Sequence, residues 1–179
     1  ERFPIIGLVP ALKPAVLQSK TKKVAVLATP ATFRGKLIKD VITGFAEPAQ
    51  VQVFAYTCLA LVPYVEADLA NSPECRDTLR QLLDPAVEQG IDYLVLGCTH
   101  YPLLKPLLRD IIGPSVRIVD SATTTAQAAA KSLLSNQQIH TASQAGQYQF
   151  IVTDTPLRFQ TIGERFLGRA FSGISQHHW

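Results

Sequence analysis

Cys98, Thr99 and His100 stand between a glycine and a predicted helix start in the segment Gly97-Cys98-Thr99-His100-Tyr101-Pro102. That order sets a thiol where a helix N-terminal dipole stabilises its thiolate, with an imidazole two residues away as a partner, so it favours a low thiol pKa and a base or nucleophile. The other reading of Cys98 is a buried cysteine in a packed turn. A metal reading of Cys98 with His100 lacks further ligands, because neither Cys58 nor Cys75 supplies recognisable ligand spacing. Glu66 follows the apolar stretch Leu59 to Val65, where a carboxylate is costly to bury unless it is paired or used. It equally fits the beginning of an exposed helix face shared with Asp68. Thr29 and Thr32 offer hydroxyls and free amides at a helix entrance, suited to a carboxylate or phosphate, or else to simple N-capping.

These residues fall at the ends of predicted strands. Nearly continuous apolar, β-branched runs recur at Val24 to Ala28, Val51 to Tyr56, Tyr93 to Gly97 and Val116 to Val119. Such runs predict strands buried on both faces, as in a parallel sheet. Helix-period segments lie between them, at Arg34 to Phe45, Pro73 to Gln89 and Pro102 to Ile112. Strands alternating with helices make βαβ units and an α/β layered fold, in which ligands bind beyond the carboxyl ends of the strands. In the segment Pro73 to Gln89, Leu79, Leu82, Leu83, Ala86 and Val87 share one face, Ser72 is the N-cap and Gly90 follows the end. After Asp120 the pattern gives a Thr/Ala-rich helix from Ser121 to Leu134, a polar loop over 135–146, a strand Tyr148 to Thr153 and a helix Pro156 to Leu167. One strand with two helices cannot build a sheet core alone, so this tail calls for further strands.

The chain has 179 residues, 47% hydrophobic and 17% charged, with 12 Pro, 10 Gly, 3 Cys and no Met. That excludes disorder, collagen and a disulfide scaffold, and leaves room for one or two globular domains. No apolar run reaches a membrane span and no signal peptide stands at Glu1, so a soluble, cytoplasmic protein with free thiols is expected. The net charge of +3 hides a gradient: residues 1–50 carry 8 basic and 3 acidic side chains, 51–100 carry 2 and 7, and 101–179 carry 7 and 4. Basic residues cluster only at Lys20, Lys22 and Lys23, with no interleaved aromatics, which argues against nucleic-acid binding. The absent Met and the abrupt opening Glu1-Arg2-Phe3 suggest a fragment or a processed chain.

The segment Gly97 to Leu103 resembles the second cysteine motif of the bacterial glutamate racemases, and Leu96 extends the match. Further segments align in order: Ile6 to Ala15, Leu27 to Thr32, Cys58 to Glu66, Val119 to Ala122 and Arg165 to Gly168. The resemblance implies a cofactor-independent racemase with two α/β domains facing across a cleft, each giving one cysteine, that makes D-glutamate for peptidoglycan. On it, Cys98 is one acid/base, on the L-glutamate side, and His100 tunes it. Thr99 binds substrate, Glu66 is the nearby functional carboxylate, and Thr29 and Thr32 bind the substrate carboxylate or amine. The partner is then a small molecule, L- or D-glutamate, with neither nucleic acid, membrane nor metal; family members often form homodimers. The family's Asp-Ser-Gly motif and its first cysteine, in a Cys-Asn-Thr-Ala context, have no counterpart in this sequence. The expected organisation is therefore a linker over 1–10, a complete second racemase domain over 11–120, and over 121–179 an incomplete part of the first. On that reading the chain alone does not racemise. An aspartate or hydantoin racemase relative and a non-catalytic carboxylate-binding domain are the alternatives.

Overall fold

The computed structural model describes residues 4–139 and 146–178, in two compact units, Glu1–Gln138 and Ile139–Trp179. The opening Glu1-Arg2-Phe3 lies outside the described residues, as do residues 140–145 of the expected loop over 135–146.

The first unit is built on four parallel strands, β1 (Lys23–Ala28), β2 (Gln52–Thr57), β3 (Tyr93–Gly97) and β4 (Arg117–Asp120), in the order β2-β1-β3-β4. The parallel α/β architecture expected from the apolar runs is the one observed. Only the central strands are sealed on both faces, however; β2 and β4 lie at the edges and are partly exposed, because an edge strand has a neighbour on one side alone. The pleat sends alternate side chains to opposite layers. Ala25, Leu27, Leu94 and Leu96 pack with helices α4 (Leu61–Glu66), α5 (Pro73–Glu88) and α6 (Lys105–Ile112). Val24, Val26, Ala28, Tyr93 and Val95 pack on the other face with α1 (Leu12–Gln18) and α3 (Lys36–Val41). The amphipathic α5 is as predicted, with Ser72 Oγ accepting the Cys75 N–H at 3.1 Å and Leu79, Leu83 and Ala86 buried.

Three elements differ from the sequence reading. The helix expected over Arg34 to Phe45 is broken: α2 (Pro30–Arg34) ends at the extended Gly35, α3 follows, and Ile42–Ala46 closes as a π-turn. Helices α1 and α4 carry no periodic signal long enough to register, and each contains a proline in its first turn, Pro14 and Pro63. Ahead of β1, Asp92 grips the incoming chain through Ser19 Oγ at 2.7 Å and the N–H groups of Lys20 and Thr21 at 2.6 and 3.1 Å. Burial raises its carboxyl, and these donors outweigh burial and hold it below the usual range.

In the second unit β5 (Phe150–Val152) pairs in parallel with β6 (Ile174–Gln176), and α8 (Pro156–Leu167) connects them. The second strand is too short and too polar to announce itself in sequence. Phe150, Phe159 and Phe171 cluster with centroids 4.3 to 6.1 Å apart, while Tyr148, Ile151 and Leu157 are exposed. Helix α7 (Ser121–Ser135), which leaves β4 directly, buries only Ser121. Among the described residues no helix is long and apolar enough to cross a membrane.

Gly97 pairs with Ala28 across β1 and β3, and a Cβ added to it would lie 2.7 Å from the Ala28 Cβ. Gly97→Ala is expected to cost about 1–3 kcal/mol through overpacking, read by urea unfolding. Gly44→Ala, where a Cβ meets nothing within 4 Å, should leave stability equal or slightly raised.

Candidate functional site

Strand β1 hands the chain to β2 on one side and β3 hands it to β4 on the other, so the order reverses between two adjacent parallel strands. A crevice opens at such a reversal, beyond the carboxyl ends. It is present here as a cavity of about 330 Å³ lined by Thr32 after β1, Gly97, Cys98 and Thr99 after β3, and Asp120 and Ser121 at β4.

Cys98 is half-buried, and its carbonyl accepts the Tyr101 N–H at 3.3 Å. The helix predicted from Pro102 opens instead as a 3₁₀ turn over Tyr101–Leu104, with the α-helix beginning at Lys105. Of the three cysteines, Cys98 alone lines the cavity; Cys75 is fully buried in the core, where burial, and then Cys58 nearby, push its thiol up. Thr29 caps α2, and its Oγ1 lies 3.1 Å from Thr32 Oγ1, which in turn donates to the Gly97 carbonyl at 3.2 Å. With the Thr32 proton on Gly97, the Thr29 hydroxyl donates to Thr32, and the two hydroxyls form a directed link between the ends of β1 and β3. The Thr32 N–H, expected to be free, is directed at the Thr29 carbonyl at 3.0 Å and its hydroxyl at 3.4 Å. Thr32 lines the cavity and Thr29 does not.

Beside the cavity, His100 Nε2 lies 3.3 Å from Glu66 Oε1 and its Nδ1 lies 3.4 Å from Thr99 Oγ1. A carboxylate only accepts, so in the neutral imidazole Nε2 carries the proton and Nδ1 accepts from Thr99. Glu66, Thr99 and His100 are thus joined in a line that ends next to Cys98. Glu66 does not begin an exposed helix face with Asp68: it is the last residue of α4, and Asp68 sits in the following turn at φ 65°. Tyr101, fully buried, donates to the Cys58 carbonyl at 2.9 Å and so ties the end of β2 to the segment after Cys98. Burial, then the neighbouring Cys98 and Cys58, push its phenol well up.

The end of β4 was not among the strand ends singled out from sequence, although the same rule applies to it. Asp120 is buried there, caps α7 by accepting the Ala122 N–H at 2.8 Å, and is ion-paired with Lys105 of α6. Burial raises its carboxyl, and the bonds from Lys105 and Ala122 overcome that and hold it below the usual range. Ser121 Oγ donates to the Val9 carbonyl at 2.6 Å, which holds the segment before α1 against the cavity.

The sequence model of the Asp/Glu/hydantoin racemases matches residues 2–129. The chain belongs to that family. It is 44% identical over 164 residues to the glutamate racemase of Deinococcus radiodurans, covering 90% of this chain and 57% of that protein. It is 40% identical over 174 residues to the glutamate racemase of Syntrophus aciditrophicus, covering 97% and 64%. Among solved structures, a glutamate racemase isoform from Bacillus anthracis superposes with a TM-score of 0.83 at 25% identity, over 99% of this chain and 66% of that one. The glutamate racemase of Francisella tularensis in complex with D-glutamate gives 0.79 at 26%, over 93% and 62%. This racemase-family chain thus spans 57% and 64% of the two curated relatives.

Lys105→Met leaves the Asp120 carboxylate buried without its cation and is expected to lower the unfolding free energy by about 3 kcal/mol. Because the folded carboxyl is held low, its contribution is fully present above the unfolded value of about pH 4. It is lost as pH falls through the folded value. Urea unfolding at pH 6 and pH 3 should show a smaller loss on acidification in Asp120→Asn than in the parent.

Proposed function

We propose that this chain carries the Cys98 half of a glutamate racemase, a cofactor-independent enzyme that interconverts L- and D-glutamate with two opposed thiols. The observation that carries the reading is the placement of Cys98 on the switch-point cavity, with Thr99 beside it and Thr32 after the neighbouring strand. The α-hydrogen of an amino acid is weakly acidic, so its removal needs a positioned base and fixed donors around the developing charge. In this mechanism the Cys98 thiolate takes the α-proton of L-glutamate and becomes a thiol. A thiol on the opposite face gives its proton to the carbanion, producing D-glutamate and a thiolate there. His100, aligned through Thr99 and Glu66, tunes the Cys98 side, and Thr32, held in place by the Thr29 hydroxyl, borders the substrate.

The opposing thiol is supplied from outside this chain, since Cys75 is in the core and Cys58 does not line the cavity. On this reading residues 1–10 are the linker, 11–120 the second domain, and 121–179 belong with the first, which agrees with α7 burying only Ser121. Racemisation then requires the complementary part of the enzyme, and its product, D-glutamate, made in the cytoplasm, supplies cell-wall peptidoglycan synthesis.

Proton NMR of the chain in deuterated water tests the half-site. The α-proton of L-glutamate is expected to disappear, that of D-glutamate to persist, and Cys98→Ala to abolish the exchange. No exchange with either enantiomer, or exchange undiminished in Cys98→Ala, would contradict the assignment. Faster exchange with L-aspartate than with L-glutamate would move the specificity to aspartate.

A further inference from the structure

The segment ahead of α1 borders the cavity and has little hold of its own. Pro4 to Pro10 forms neither helix nor strand, and Ile5 and Leu8 are 92% and 52% exposed, so apolar burial anchors it weakly. Its inner end is fixed. The Pro10 carbonyl accepts the Leu12 N–H at 2.7 Å, and the Pro10 ring lies against Gly97, its Cγ 3.5 Å from where a Cβ on that glycine would stand. Leu8 and Pro10 line the cavity together with Cys98. Among the described residues, the hydrogen bond that residues 4–9 make is the one from Ser121 Oγ to the Val9 carbonyl, at 2.6 Å. Ser121 has its hydroxyl to give because the residue before it, Asp120, caps α7 through the Ala122 N–H.

We infer that residues 4–10 are a strap along one side of the Cys98 cavity and that Ser121 is the clasp that keeps it closed. One hydrogen bond at a partly exposed place contributes little net once water can replace it, so the clasp opens and recloses readily, as a segment built into a strand ladder would not. Closed, the strap puts Leu8 and Pro10 between the cavity and solvent, which keeps water from the thiol and limits the size of what reaches it. Open, it swings about the anchored Pro10 and admits a wider molecule. Ser121 is a positioning residue that acts through Val9, and its role holds whichever small ligand the cavity takes.

The test is the alkylation of Cys98 by a small and a bulky maleimide, N-methylmaleimide and N-(1-pyrenyl)maleimide, followed by mass spectrometry of the peptide that holds it. The two reagents share one reacting group, so their rate ratio cancels the reactivity of the thiol and reads access. Ser121→Ala is expected to raise the bulky-to-small ratio by about three- to tenfold, the effect of one lost hydrogen bond on the open fraction. Ser121→Thr, which keeps the hydroxyl, should stay close to the parent. Leu8→Gly thins the strap and leaves Ser121 in place, so it should raise the ratio as well, and it keeps the strap testable if Ser121→Ala loses its cooperative urea transition. A ratio unchanged in Ser121→Ala, or raised as much in Ser121→Thr, overturns the clasp, and a ratio unchanged in Leu8→Gly overturns the strap. Rates that rise equally with both reagents would place the effect on the thiol itself and contradict the inference.

Discussion

The register of β1 against β3 is the constraint on which the site depends. Both strands are closed off from water on both faces, so every backbone polar group in them must find its partner in the ladder, and a slip of one residue would turn each side chain into the wrong layer. That register sets Ala28 opposite Gly97 at a separation that leaves no room for a second β-carbon. The next residues along the two strands are Thr29 and Cys98, and the Thr29–Thr32–Gly97 hydroxyl link closes the strand ends together. The thiol is therefore positioned one residue beyond the register-locked end of β3, as suits a group that must meet a reacting carbon within a fraction of an ångström.

Around that centre the polar groups are divided between scaffold and cavity. Tyr101, Asp92 and the Lys105–Asp120 pair each fasten one segment to the next: the end of β2, the turn before β1 and the start of α7. Their charges and hydrogens are consumed within the protein. The groups that retain capacity toward a ligand are the Cys98 thiol and the exposed Lys36 ammonium, and both line the same cavity. The low carboxyl of Asp120 fits the first role, because a carboxylate that holds a helix terminus and a lysine at once is a fastening and not a free acid.

The four strands of the first unit and the long helix α5 are legible in the sequence because apolar runs and one-stripe amphipathicity leave periodic marks. The short elements are not. Leu12–Gln18 and Leu61–Glu66 each form about two turns, begin beside prolines, and gain their helical state from packing against the sheet rather than from propensity. The break at Gly35 was hidden for a related reason, since the apolar period continues through it while the backbone does not. Within the site, Cys98, Thr99 and Thr32 were found by looking beyond strand ends, and they do line one cavity. Asp120 obeys the same rule, but in the sequence it stands only within the aligned segment Val119 to Ala122, because its ion pair with Lys105 leaves no mark in the spacing. That Thr29 and Thr32 bond to each other and to Gly97 was beyond sequence, because a hydroxyl's partner is decided by which strand lies next to it.

The central claim is that glutamate meets Cys98 in the cavity between the ends of β1 and β3. The most direct measurement is an amide-resolved NMR titration of the chain with L-glutamate. The account predicts saturable shifts at Thr32, Gly97, Cys98, Thr99 and Ser121, with the amides of Phe150 to Val152 unmoved. Shifts absent from Gly97 to Thr99 at saturating ligand, or confined to residues away from the strand ends, would contradict it.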